Sequence, residues 1–136
     1  MILAAPVLGV VLEVGMSRPV HFEILADDPQ KLVEFYKQVL GWEVSTWDGP
    51  QTYWLAKTGE AGCMGIDGGF MRRELPQPVI NTTAVEDLEQ TLAKVLAAGG
   101  RLERGPHDIP GIGRHAYCSD PEGILFGLLQ PIMPAK

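Results

Sequence analysis

The sequence predicts an α+β fold built from a strand-helix-three-strand unit, βαβββ, that occurs twice. Three observations predict it. Two amphipathic helix patterns are each preceded by one β-type run and followed by three. The halves lie on one another at a constant offset of 59, with Pro19 on Pro78, Val20 on Val79, Asp28 on Asp87 and Gly41 on Gly100. Sixteen glycines and eleven prolines in 136 residues exceed average usage, so the chain turns often and its elements are short.

From Pro19 to Leu25 the run Val-His-Phe-Glu-Ile alternates, placing Phe22 and Ile24 on one face and His21 and Glu23 on the other. Asp28 is suited to cap a helix with Pro29 in its first turn. Leu32, Val33, Tyr36, Val39 and Leu40 recur at helical spacing until Gly41. Strands are expected at Trp42–Trp47, Thr52–Ala56 and Cys63–Ile66, with turns at Asp48-Gly49-Pro50 and Thr58-Gly59-Glu60. Residues 68–78 read as a linker. A strand over Pro78–Val85 follows, and Asp87 opens a second helix with Leu88, Leu92, Val95 and Leu96 on one face before Gly99-Gly100. Short strands close the order at Arg101–Arg104, Arg114–Cys118 and Ile124–Leu129. The expected division is an apolar N-terminal extension, 1–15, and one domain, 16–136, with module 1 at about 18–70 and module 2 at about 78–131.

Composition narrows the partners. Eleven basic against seventeen acidic side chains give a net charge of −6, so there is no basic excess to engage a nucleic-acid backbone. The opening MILAAPVLGVVLEVG is apolar but too short to span a bilayer and holds Pro6 and Glu13, and no positive n-region marks it as a secretory signal. Met16 is an alternative start. Cys63 and Cys118 make no disulfide framework and no paired-cysteine zinc motif; two buried or half-buried thiols and a cytoplasmic location are the expectation.

The segments His21-Phe-Glu-Ile, Ala26-Asp-Asp-Pro and Phe35-Tyr36 to Gly41-Trp42, then Ile109-Pro-Gly-Ile-Gly113 with Asp120-Pro-Glu-Gly123, stand in an order that resembles the glyoxalase/bleomycin-resistance/extradiol-dioxygenase proteins, the vicinal oxygen chelate superfamily. The resemblance covers about residues 18–131. It implies two βαβββ modules whose curled mixed sheet surrounds a shared cleft, helices on the outer sides, and in many members a divalent metal in the cleft.

The family's metal ligands come from the first and last strand of each module. Carried over by position, the first-strand ligand falls on His21, fourteen residues before Phe35. Its partner 59 residues on is Ile80, which has no donor atom. The last-strand position is Gly127, and aligning Met64-Gly-Ile with Phe126-Gly-Leu makes Gly65 its first-module counterpart. Three of the four implied ligands are therefore missing. One histidine does not make a divalent-metal site, so no cofactor is expected. The rival is a rearranged set in which His21 and Glu23, helped by His115 or His107, hold a metal.

Candidate site residues follow. His21 and Glu23 share a face and form the candidate acid/base pair. His115 and Tyr117 alternate on the strand before the Asp-Pro-Glu-Gly turn, and with Tyr53 are candidate substrate contacts; His107 is expected to be solvent-exposed. Trp47, Tyr53 and Trp54 also suit a strand core. Arg72-Arg73 is expected to be solvated. No phosphate-binding loop or nucleophile elbow occurs. The expected function is a glyoxalase/bleomycin-resistance-like protein that binds a small molecule in the inter-module cleft without the usual metal, as a homodimer. The alternatives are a metal-dependent lyase, isomerase or dioxygenase using His21, and a non-catalytic interaction module.

Overall fold

Burial alternates along Arg18–Ala26, with His21, Glu23 and Leu25 fully inside on one face and Phe22 and Ile24 half-buried on the other. This strand, β1, is the central element of a computed structural model that describes residues 17–132. The expected extension 1–15 and the alternative start Met16 lie outside the described residues. The remaining elements are α1 (Pro29–Leu40), β2 (Glu43–Thr46), β3 (Trp54–Lys57), β4 (Gly68–Arg72), β5 (Val79–Ala84), α2 (Leu88–Ala97), β6 (Arg101–Ile109), β7 (Gly113–Ser119) and β8 (Leu125–Pro131). The eight strands form one mixed sheet in the order β2-β3-β4-β1-β5-β8-β7-β6. Among the described residues no helix is long and apolar enough to cross a membrane.

The helices start where local chemistry satisfies their free N–H groups. Asp28 accepts from Lys31 N at 3.3 Å and Asp87 from Gln90 N at 3.0 Å. Gly41 ends α1 in the left-handed region at φ 72°, where glycine carries no Cβ penalty.

The two modules meet at β1 and β5, which run antiparallel. Phe22 pairs with Asn81, flanked by His21–Thr82 and Glu23–Ile80. Phe22 and Asn81 differ by 59, so the repeat offset relates the two flanking pairs to each other, and a pseudo-twofold passes through Phe22–Asn81. Each helix covers the outer face of its own module: Val33 lies over Ala56 and Phe70, and Leu88 and Leu92 lie over Ala116, Cys118 and Leu128. The inner faces share one cluster that includes Leu25, Tyr53, Met71, Ile80, Tyr117 and Leu125. Burying each such side chain contributes roughly 1.5–3 kcal/mol.

Several expectations are corrected. The strand expected at Cys63–Ile66 is an exposed turn, because Gly62 and Gly65 take φ +89° and +130°. The fourth strand is Gly68–Arg72, inside the expected linker. Its glycines are imposed by neighbours on opposite faces: a Cβ at Gly68 would stand 2.5 Å from the Phe22 ring, and one at Gly69 2.1 Å from Tyr53. The strand expected to stop at Arg104 continues to Ile109 past Pro106, with a register shift between Arg104 and His107; at the sheet edge the missing N–H costs no ladder bond. His107 is therefore a half-buried strand residue rather than an exposed loop residue. Cys118 is buried as expected, but Cys63, expected to be buried or half-buried, is exposed because it lies on the turn at Cys63–Ile66; both are free thiols.

Candidate functional site

The period-two geometry of β1 sends His21 and Glu23 to the same inner face, and each is 0% exposed. Tyr53, next to β3, joins them. In the sheet order β4 separates β3 from β1, but Gly69 on β4 presents no side chain, so the Tyr53 ring passes over it. The phenol donates to Glu23 Oε2 at 2.9 Å and lies 2.9 Å from His21 Nε2. Tyr117, from β7, donates to the other oxygen, Oε1. β7 stands three strands from β1, about 14 Å on a flat sheet at ordinary strand spacing. A tyrosine cannot cover that distance, so the contact requires the sheet to curl around the site.

The donor count orders the protons. A phenol has one proton, and Tyr53 gives it to Glu23, so it accepts from an Nε2–H of His21. The chain runs from His21 to Tyr53 to Glu23, with Tyr117 donating from the far side. Burial lowers His21 from 6.5 to about 3, which keeps the imidazole neutral. Burial raises Glu23 from 4.5 to about 7, against the bonds from Tyr117 and Tyr53 that favour the carboxylate. Both phenols are pushed well above 10, first by burial and then by the Glu23 charge. Burial thus raises the pKa of one carboxyl and of the two phenols that hold it.

A second group of polar side chains lies beside it. His21, Thr82, Gly127 and Tyr117 are successive Cα partners across β1, β5, β8 and β7. Thr82 and His115 are 0% exposed, and among the described residues Thr82 Oγ1, both ring nitrogens of His115 and Nδ1 of His21 have no hydrogen-bond partner. The His115 ring meets Tyr117 edge-on at 4.3 Å. Burial, then the charges that His107 and His21 would carry, hold His115 well below 6.5. The structure thus brings His21, Glu23, Tyr53, His115 and Tyr117 to one inner face. Thr82 is absent from the sequence-based candidates, and its place 59 residues after Glu23 is the signal that could have found it.

The implied metal site is not assembled. The registers of Glu23 with Gly69 and of Thr82 with Gly127 make Gly69, not Gly65, the counterpart of Gly127. The four positions therefore hold His21, Gly69, Ile80 and Gly127. Tyr53 fills the space over Gly69, and its hydroxyl takes Nε2 of His21. Among the described residues no three His, Cys, Asp or Glu side chains form a group that could hold a metal, so the rearranged set with His115 or His107 does not converge either. This donor set does not fit a divalent ion with three or four protein ligands.

Other charged features are already engaged. An open recess of about 480 Å³, lined in part by Asp108, Arg114 and Gln130, contains none of the residues above. Its Arg114 is paired with Glu89 at 2.6 Å and Asp108 at 3.1 Å. Arg72 donates to the Asp27 carbonyl and Arg73 pairs with the Asp27 carboxylate, both at the surface.

Over residues 18–128 the sequence matches the model of the Glyoxalase/Bleomycin resistance protein/Dioxygenase superfamily. It is 37% identical over 119 residues to proteins named "Putative glyoxylase CFP32" in Mycobacterium bovis and Mycobacterium tuberculosis. The match takes in 80% of this chain and 42% of each relative, so the chain spans less than half their length. A methylmalonyl-CoA epimerase solved with methylmalonyl-CoA and ammonium is similar in fold, with TM-score 0.64 at 18% identity over 86% of this chain and 96% of the epimerase. The Mycobacterium tuberculosis methylmalonyl-CoA epimerase gives 0.60 at 17% identity over 85% and 88% of the two chains. A Streptomyces coelicolor epimerase variant in complex with 2-nitronate-propionyl-CoA gives 0.65 at 17% identity over 90% and 99%. The matched span takes in both βαβββ modules up to the middle of β8, and the chain belongs to the glyoxalase/bleomycin resistance protein/dioxygenase superfamily.

Proposed function

We propose that this protein binds a small carbonyl-bearing molecule in the cleft between its modules and transfers a proton at Glu23 without a divalent metal. The carrying observation is the fully buried Glu23 carboxyl, hydrogen-bonded by both Tyr53 and Tyr117, where burial raises its pKa from 4.5 to about 7. A general acid/base works best when its pKa lies near the working pH. As carboxylate, Glu23 takes a proton from the ligand and becomes the acid; it then returns a proton to the ligand or to water. Tyr53 and Tyr117 fix the carboxyl's orientation through this cycle. His21 stays neutral and orients Tyr53. The carbonyl class is supported by the ligands of the neighbouring folds, methylmalonyl-CoA and 2-nitronate-propionyl-CoA.

Metal independence is supported by Ile80, Gly69 and Gly127 at three of the four ligand positions. A cytoplasmic homodimer completes the reading, with β2 and β6 as the sheet edges open to a second copy.

The test combines elemental analysis of protein purified without chelators with a thermal-shift screen of acyl-CoA esters and small ketones. A ligand that binds the native state raises its melting temperature by mass action. Proton transfer is then read as deuterium incorporation into that ligand. Glu23→Gln should slow the incorporation by about 10²-fold or more while the fold is retained. Stoichiometric bound metal, or unchanged exchange in Glu23→Gln, would overturn the proposal.

A further inference from the structure

The two modules treat their equivalent glycines differently. Over Gly69 a Cβ would meet the Tyr53 ring and hydroxyl at 2.1 and 2.3 Å, and that hydroxyl is bonded on both sides. Over Gly127 a Cβ would meet Thr82 Oγ1 at 2.4 Å and His115 Nε2 at 3.0 Å, and neither atom has a hydrogen-bond partner among the described residues. Thr82 and His115 are each 0% exposed, so solvent at the surface does not satisfy them. Buried hydroxyls and imidazoles without partners cost stability, and such groups persist where something else uses them.

Here two donors converge on one bare stretch of backbone, and Thr82 pairs with His21, two pairs along the β1–β5 ladder from Glu23–Ile80. We propose that the Thr82 hydroxyl and the His115 imidazole, above Gly127, form a subsite that donates two hydrogen bonds to one neutral carbonyl oxygen of the ligand. This rests on the Glu23 reading and adds the other end of the ligand. The C–H that Glu23 deprotonates is adjacent to the carbonyl carbon whose oxygen Thr82 and His115 hold.

The neutral class follows from charge. No Lys or Arg is buried among the described residues, and His115 is held uncharged by its surroundings. A carboxylate there would be a buried anion with no buried Lys or Arg of the described residues to pair with, which is costly, whereas a ketone, ester or thioester oxygen takes both donors without that cost. Charge that develops on this oxygen as the proton leaves is then met by donors already in place.

The probe is methyl acetoacetate, a neutral ester with an acidic C–H between two carbonyls, with the acetoacetate anion as its charged counterpart. Binding is followed through the His115 side-chain ¹⁵N resonances, assigned with His115→Phe, and proton transfer through deuterium entry at C2. Methyl acetoacetate is expected to shift the His115 signals and to bind more tightly than acetoacetate. Thr82→Val should weaken binding by about tenfold, the worth of one hydrogen bond, and Thr82→Ser should restore it. Without probe, Thr82→Val should melt higher than wild type, because it removes an unpartnered buried hydroxyl at constant shape; a purely structural threonine would melt lower when so replaced. The subsite is refuted if methyl acetoacetate leaves the His115 signals unmoved, if Thr82→Val binds it as tightly as wild type, or if acetoacetate binds equally well. Binding that depends on Thr82, with C2 exchange indifferent to Glu23→Gln, upholds the subsite and sinks the Glu23 reading alone.

Discussion

The Tyr53 ring lies against the bare backbone of Gly69, where a Cβ would stand 2.1 Å from Tyr53 Cε1. This contact lets a side chain beside β3 reach across β4 to His21 and Glu23 on β1. Gly69→Ala should therefore push Tyr53 off both partners and cost about 1–3 kcal/mol, as overpacking of a filled interior does. Gly59→Ala is the control: its Cβ meets nothing within 4 Å, so the change should stay within about 0.5 kcal/mol. Urea unfolding midpoints compare the two.

Tyr53→Phe and Tyr117→Phe each remove one donor from the Glu23 carboxylate. Both bonds hold the carboxyl down against burial, so each variant should titrate Glu23 above its value of about 7, and the double variant higher still. The ¹³C resonance of the Glu23 carboxyl, followed against pH, reads this directly. Each single loss should also cost about 1–3 kcal/mol at pH 8, where the buried carboxylate is left short of a partner.

Glu23 has a defined pH signature. Its pKa rises from 4.5 to about 7 on folding, so between these values the unfolded chain has released the proton and the folded chain has kept it. The Glu23 contribution is complete below pH 4.5 and falls by about 3 kcal/mol as pH rises to 7. The difference in unfolding free energy between wild type and Glu23→Gln should fall by this amount over that range. A difference that stays flat contradicts the assignment.

His21 has the opposite sign. Its pKa falls from 6.5 to about 3, so on acidification the unfolded chain binds a proton that the folded chain refuses. Stability contributed in this way is whole above pH 6.5 and is lost as pH drops toward 3. His115, also lowered by burial, acts in the same direction. Wild type should therefore lose stability below pH 6.5 more steeply than His21→Gln, as read by urea titration at successive pH values.

Gly127→Ala probes the second module. The new methyl would stand 2.4 Å from Thr82 Oγ1 and 3.0 Å from His115 Nε2, so one of them must move. A stability cost of about 1–3 kcal/mol is expected, together with loss of ligand-induced thermal shift. Retention of the full shift would place the ligand elsewhere in the cleft.

Features governed by neighbours in the chain were legible. Asp28, Asp87 and Gly41 mark helix ends because capping is settled within three or four residues. The alternation around His21 and Glu23 assigns them one face for the same reason. The strand Gly68–Arg72 was not legible: its two glycines weaken any local β signal, and they are there because Phe22 and Tyr53 need the space. The misplacement of the metal-position glycine at Gly65 follows from the same gap, since a short tripeptide likeness stood in for a strand register.

The sequence alone determined the repeat, its offset of 59, the shared face of His21 and Glu23 on β1 and the lack of donors at Ile80 and Gly127, because these depend on order and residue type. Only the tertiary structure decided that Tyr53 and Tyr117, 30 and 94 residues from Glu23, close on its two oxygens, and that Thr82 and His115 stand unbonded over Gly127. Those contacts depend on sheet order, on the curl that brings β7 to β1 and on the clearance above two glycines. Each is a distance between strands that are remote along the chain, and residue spacing carries no record of it.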